Sequence, residues 1–244
     1  MTIQTILLLA ALYTAASFVQ GLTGFGMALI AAPILALAFE PQYAVGMVVA
    51  LGAAVGSYNF LLHRHRVEYR RVLPIALVSY PFVPIGAYFL ETVEPRFVMI
   101  GLGSVVILLT VFTMSVQSSL LGWMRSRRVG YAFAAASGLL LGAFSTSGPP
   151  VVAYFYTGDP DRMRAKANTQ FFFAATILAG AVTHIGAQNV TGYTLARSLP
   201  FLPFVLLGTW AGAAVSGRMP HRIFHRATDV FLIGLGLYLI VGHL

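Results

Sequence analysis

The chain has no cysteine, which removes disulfides, thiolate metal sites and thiol nucleophiles from consideration. Charge is almost as scarce. Only 9% of the 244 residues are charged and only 7 are acidic, whereas a soluble domain usually has about a quarter of its residues charged. The sequence has no Walker A glycine-lysine-serine/threonine run, so ATP is not a direct energy source. Gly-x-Ser-x-Gly, His-Glu-x-x-His and paired carboxylates within an apolar run are also absent, which leaves an intramembrane enzyme without a catalytic motif. Nothing calls for a cofactor or a metal. His63 and His65 lie two apart in a basic loop without carboxylates, which is a poor ligand set.

Apolar residues are abundant, at 58% of the chain. They fall in repeated runs close to the roughly 20 residues that cross a hydrocarbon core. Runs such as MIGLGSVVILLTVF do not alternate, which excludes the pattern of a membrane β-barrel. The expected fold is an all-α polytopic membrane protein of one transmembrane domain over 1–244. The N-terminal apolar run has no Lys or Arg before it and reads as a retained membrane segment rather than a cleaved signal. Apolar elements are expected at 3–20, 25–39, 43–62, 72–90, 97–115, 130–144, 149–157, 168–187, 196–217 and 227–243.

Two of these, 25–39 and 149–157, are too short to span comfortably. Each follows a break, QGLTGFG at 20–26 and GAFSTSGPP at 142–150. Each break follows a small-residue helix and precedes an acidic-proline pair, Glu40-Pro41 or Asp159-Pro160. Three longer helices come next in both halves, and Pro74, Gly86 and Arg96 correspond to Pro200, Gly212 and Arg222 at one constant offset. This order predicts two repeats, 1–118 and 128–244. Weak internal symmetry of this kind is a mark of secondary transporters.

Charge predicts the topology. Arg64, Arg66, Arg70 and Arg71, then Arg125, Arg127 and Arg128, then Arg162, Arg164 and Lys166, then Arg218, Arg222 and Arg226 occupy four loops and make up 13 of the 15 basic residues. By the positive-inside rule all four loops face the cytoplasm, which also accounts for the net charge of +8 without nucleic acid. ETVEPR and AQNVTGYT then face outward, as do both termini. The loops at 117–129 and 157–167 share one side, so the broken segment between them must return as a hairpin. Residues 3–39 form its counterpart from the opposite side. One hairpin plus three crossings per repeat inverts the second repeat relative to the first.

Broken backbone at membrane depth is tolerated only when buried in protein or lining a polar cavity. Each break is followed by a helical leg, Met27 to Phe39 and Pro149 to Tyr156, whose N–H groups and positive dipole end point into the site. Pro149 and Pro150 suit a first helical turn, where no N–H is needed. Gly24, Gly26 and Gly148 allow close backbone approach, while Thr23, Ser145, Thr146 and Ser147 add hydroxyl donors. Neither break contains an acidic residue. The constellation favours a small anion held by N–H and O–H groups. For GLTGFG alone, close helix packing by small residues is an alternative; STSGPP, with paired prolines, fits that alternative poorly.

QGLTGFGMALIAAPIL, repeated more loosely as LGAFSTSGPPVVAYF, resembles the paired signature of the TauE/SafE sulfite exporter family of membrane permeases. The resemblance covers essentially the whole chain. It implies transport of anions, often sulfur-containing: sulfite, thiosulfate, sulfonates or organosulfur acids. It also implies a bacterial-type inner membrane. The family signature usually has more glycines in the second half, and the serine- and proline-rich stretch here bears on the particular substrate rather than on the class.

Other polar residues within apolar runs are functional candidates by default. Gln20 borders the first break, with Phe25 inside it; Tyr58 and Asn59 are cavity candidates on their helix, and Asn168, near Gln170, offers an amide. His184 is one of few titratable groups in a run and is the candidate for proton coupling. Arg197 suits snorkelling to headgroups, and Asp229, after Arg226, suits an ion pair or the helix dipole. The partners expected are a small anionic substrate and the lipid bilayer; no oligomeric state is specified. The competing readings are an anion channel, an intramembrane enzyme and a membrane scaffold, and a scaffold has no use for two polar breaks.

Overall fold

Apolar runs punctuated by proline, glycine and serine fold into α-helices throughout the described part of the chain. The computed structural model describes residues 2–116, 126–159, 161–216 and 221–244. The helices are α1 (Ile3–Thr23), α2 (Met27–Ala36), α3 (Pro41–His63), α4 (Tyr69–Ser79), α5 (Phe82–Thr92), α6 (Pro95–Val116), α7 (Arg127–Phe144), α8 (Gly148–Gly158), α9 (Arg162–Gly186), α10 (Gly192–Ser198), α11 (Leu202–Val215) and α12 (His221–Val241), and no strand occurs among the described residues. The all-α polytopic class expected from composition is the observed one. Among the described residues, six helical stretches are long and apolar enough to cross a membrane: Ile3–Thr23, Pro41–Arg66, Tyr69–Thr92, Pro95–Phe112, Met163–Gly186 and Gly192–Val215. The outward-facing side chains are themselves apolar, Leu8, Tyr88, Leu108, Val182 and Trp210 among them.

Several boundaries differ from the sequence reading, among them α12, which begins at His221 rather than at 227, and three have a visible cause. The run 72–90 is two helices, because Pro81 cannot donate to the carbonyl a turn earlier and so ends α4. A 3-10 turn at Leu199–Phe201, containing Pro200, divides α10 from α11 in the same way. Helix α9 starts six residues before 168, where the Asp161 carboxylate accepts from the N–H groups of Met163 and Arg164 at 2.9 and 3.3 Å. That N-cap precedes a polar first turn which carries no apolar period.

The helices pack in two reciprocal pairs and two self-paired sets. Helix α1 runs parallel to α11, and α5 runs parallel to α7. Gly21 lies against the Thr209 carbonyl and the Ala213 nitrogen; Gly142 lies against the Val83 carbonyl and the Ala87 nitrogen. In return Gly212 meets Phe18 and Leu22, and Gly86 meets Leu139 and Ala143. Thr209 and Ala213 stand to Val83 and Ala87 at the same offset that relates Pro200 to Pro74. The two interfaces therefore use corresponding positions, and at each a Cβ on the glycine would collide with backbone. Small residues are what allow such close contact between membrane helices.

Helices α3 and α9 pack antiparallel, with Gly46 at Asn189, Gly56 at Ala174 and Phe60 against Phe171. Helices α6 and α12 are also antiparallel: Gly103 meets Gly236, and Arg96 at the start of α6 donates through Nε to the His243 carbonyl at 2.7 Å and also bonds the Leu244 carbonyl. A helix antiparallel to its own counterpart is what an inverted two-fold requires. One end of the bundle gathers the α3–α4 and α8–α9 connections, two of the four basic loops. Arg125, Arg218 and Pro160 lie outside the described residues, as do the side chains of Arg162, Arg222 and Arg226. At the other end Gln42 donates to the Leu90 carbonyl at 3.1 Å and Asn189 to Glu91 at 2.6 Å.

Candidate functional site

Helices α1 and α7 both stop inside the bundle on a left-handed residue, and the two residues correspond: Gly24 (φ 92) and Ser145 (φ 56). Glycine adopts that conformation freely. Serine does not, and a non-glycine residue held there costs about 1–3 kcal/mol. Two bonds hold Ser145: its N–H donates to the Leu141 carbonyl at 2.9 Å and its hydroxyl to the Val45 carbonyl of α3 at 3.0 Å. The chain then turns back as α8, led by Gly148, Pro149 and Pro150. The first tip is pinned from the other half of the chain, since the Gln170 amide on α9 donates to the Gly24 carbonyl at 2.7 Å. Gly26, also left-handed at φ 115, starts α2, and the Met27 N–H donates to Gln20 Oε1 at 3.1 Å.

The returning legs α2 and α8 have 10 and 11 residues, about 15 Å each and half the hydrocarbon thickness. The two tips meet: a Cβ on Gly148 would stand 3.3 Å from the Phe25 ring. Beside that contact is a cavity of about 60 Å³. It accommodates roughly four to six water-sized positions, enough for a small oxyanion.

Seven of the expected residues line it: Gln20, Phe25, Gly26, Ser145, Thr146, Ser147 and Gly148. Met27 and Ala28, the first residues of α2, lie on the wall, and Gly148 opens α8, so both helix N-termini reach the cavity. No ionisable side chain among the described residues lines it. Gln20 commits its oxygen to Met27, which leaves its amide nitrogen as a donor. The Ser147 side chain makes no cap bond and faces the same space. The site is thus rich in donors, without a fixed charge, and is backed by the apolar side chains of Val48, Leu141, Phe173 and Ile177.

The other expected residues fall elsewhere. Thr23 and Pro149 line a second, smaller cavity that shares Phe25 and Gly26 with the first. Gly24 is behind the first tip, where its carbonyl takes the Gln170 bond. Asn168 is buried against the α3–α4 loop, where Oδ1 accepts from the Glu68 N–H at 2.8 Å. Asn59 is buried on α3 and does not line the cavity. His184 is fully buried near the far end of α9; Asn189 Nδ2 lies 3.2 Å from its Nδ1 and also donates to Glu91. Gln170, and the wall from Gly52 and Gly56 of α3 to Phe173 of α9, were missed by the sequence reading. Their one signal is small or polar residues at helical spacing, which packing alone also produces.

The basic end carries an ion-pair cluster. The Asp159 carboxylate is buried and accepts from Arg164 Nε and Nη2 at 2.7 Å each and from Arg71 Nη1 at 3.3 Å. Glu68 lies 3.6 Å from Arg71 and 3.5 Å from Arg164. The Arg164 guanidinium holds the Asp159 carboxyl below the usual carboxylate range, against the opposing effect of burial. This cluster ties the end of α8 to the starts of α4 and α9.

No solved structure matches the chain. Among curated proteins it is similar to the "Probable sulfite/organosulfonate exporter TauE" of Cupriavidus necator, at 23% identity over 96% of this chain and 93% of that protein. The sulfite exporter TauE/SafE family matches residues 8–239, which takes in α2, α8 and every residue of both hairpin tips. The chain is a multi-pass membrane protein and belongs to the sulfite exporter TauE/SafE family.

Proposed function

We propose that this protein is a secondary transporter for a small sulfur oxyanion, sulfite or an organosulfonate, bound in the cavity between the two hairpin tips. The observation that carries the reading is the convergence of the α2 and α8 N-termini with the hydroxyls of Thr146 and Ser147 on a cavity that no ionisable side chain among the described residues lines. Oriented N–H groups and a positive dipole end select an anion. The name of the Cupriavidus necator relative supports the sulfur class.

The mechanism is alternating access of two inverted repeats, 1–118 and 128–244, in an inner membrane with both termini outside. Its support is the antiparallel pairing of α3 with α9 and of α6 with α12, together with an asymmetry between the ends. Arg197 stands to Arg71 at the offset that relates Pro200 to Pro74, as Glu40 stands to Asp159 in the acidic-proline pairs. Arg71 and Asp159 are joined at the basic end. Arg197 instead lies over the Tyr193 ring at 4.5 Å, and Glu40 is exposed with no ion pair to it among the described residues. One end is latched and its counterpart is not, as expected of a transporter caught on one side of its cycle.

The test is thermal unfolding of the purified protein in detergent against sulfite, thiosulfate, short sulfonates, carboxylates and metal cations, for wild type and Ser147→Val. Stabilisation by sulfur oxyanions that is lost in the variant is expected, because a ligand of the folded state raises its stability. Stabilisation by no anion, or by a cation alone, overturns the reading.

A further inference from the structure

The donors of the anion cavity come from the two hairpins: the Gln20 amide, Thr146, Ser147 and the N-termini of α2 and α8. Thr146 is only 3% exposed and lines the cavity, yet its hydroxyl makes no hydrogen bond among the described residues. A buried hydroxyl of this kind calls for a partner from the cavity itself. The wall that α3 and α9 supply is different. Val48, Gly52 and Gly56 recur every four residues along α3, and Phe173 and Ile177 come from α9. Among the described residues neither helix brings a polar side chain to the cavity.

Packing does not account for the two glycines. On the same helix a Cβ on Gly46 would collide with the Asn189 backbone, so contact forces glycine there. A Cβ on Gly52 would meet only Ile177, at 3.5 and 3.8 Å. One on Gly56 would meet Ile177 at 3.5 Å and the Ala174 backbone at 3.6 and 3.8 Å. These are ordinary van der Waals distances. Neither glycine has the left-handed backbone of Gly24 and Gly26, and alanine is the better helix former. Glycine at 52 and 56 keeps space open at the cavity wall.

We propose that Gly52 and Gly56 form an apolar subsite for the carbon chain of the substrate, which makes a short organosulfonate a better ligand than sulfite. This rests on the reading of the cavity as the anion site. The sulfonate oxygens face the tips, where hydroxyls and helix N-termini donate, and the carbons lie against Gly52, Gly56 and Ile177. Room is limited. Of the roughly four to six water-sized positions, the three oxygens take about three, which leaves space for about one to three carbons. Each methylene that leaves water for this wall tightens binding about fourfold. Sulfite carries no carbon and leaves the wall unfilled.

The experiment measures binding of sulfite and of linear alkanesulfonates, methane to pentane, to the full chain in detergent by calorimetry. The sulfonates all carry one negative charge, so only chain length varies among them. Wild-type affinity is expected to rise about fourfold per carbon up to about propanesulfonate and to fall beyond it. Gly52→Ala and Gly56→Ala are expected to unfold at or above the wild-type temperature and to lower the ratio of propanesulfonate to methanesulfonate affinity about tenfold. Ile177→Ala widens the same wall and is expected to move the optimum to a longer chain; it carries the test where an alanine variant does not fold. Equal losses for methane- and propanesulfonate in the glycine variants, an unmoved optimum in Ile177→Ala, or wild type that binds sulfite more tightly than every sulfonate overturns the subsite and leaves the anion site standing. Binding of neither sulfite nor any sulfonate by wild type fails the anion-site reading instead.

Discussion

The Gln170 side-chain amide donates to the Gly24 carbonyl at 2.7 Å across 146 residues of chain. A side chain from the second half thereby fixes the conformation at which the first hairpin turns. Ser145 does the same in reverse by donating to Val45, so each half holds the other half's break. Gln170→Leu leaves the Gly24 carbonyl buried without that donor, at about 1–3 kcal/mol. The expected result is a lower unfolding temperature in detergent and anion binding weakened several-fold; binding equal to wild type refutes a role for this bond at the site.

Gly142 packs directly on the α5 backbone, whereas nothing lies within 4 Å of a Cβ on Gly234. Gly142→Leu is expected to lose at least 1–3 kcal/mol through overpacking, seen as a large fall in unfolding temperature or failure to accumulate folded. Gly234→Ala is expected to be neutral or slightly stabilising. Similar unfolding temperatures for the two variants contradict the close packing of α5 on α7.

The Asp159 carboxyl is held below the usual carboxylate range by Arg164. Its ion pairs therefore contribute fully above the unfolded carboxylate value, near 4, and are lost as pH falls through the lower folded value. Wild type is expected to lose unfolding temperature below about pH 4. Asp159→Asn starts several degrees lower and loses less over the same range. Parallel pH profiles remove Asp159 from the acid response.

The absence of cysteine allows a direct test of movement between the tips. A Cβ on Gly148 stands 3.4 Å from Phe25 Cβ, close to disulfide spacing. Phe25→Cys with Gly148→Cys is expected to cross-link on oxidation, to stop transport, and to recover it on reduction. Full transport by the cross-linked protein excludes relative motion of the tips as the access step.

Much of this protein was legible from sequence because the membrane imposes strict local rules. Apolar runs must be helices, since hydrocarbon offers backbone groups no partner, so class and breaks could be read from residues alone. The breaks were visible at Gly24 and at Ser145–Pro150 because glycine, proline and hydroxyls mark them chemically. Only tertiary structure decided which residues share a wall. Thr23 and Ser145 read alike as hydroxyls at a break, yet they line different cavities: Thr23 ends α1 and donates to the Phe25 carbonyl within its own tip, whereas Ser145 is the left-handed residue of the other tip and donates to Val45. Asn168 and Gln170 sit two apart on α9, and that spacing turns one toward the α3–α4 loop and the other toward Gly24. Sequence carries periodicity and composition; contacts between segments a hundred residues apart depend on how the helices cross, and that is set by glycine contacts that form only when the whole bundle assembles.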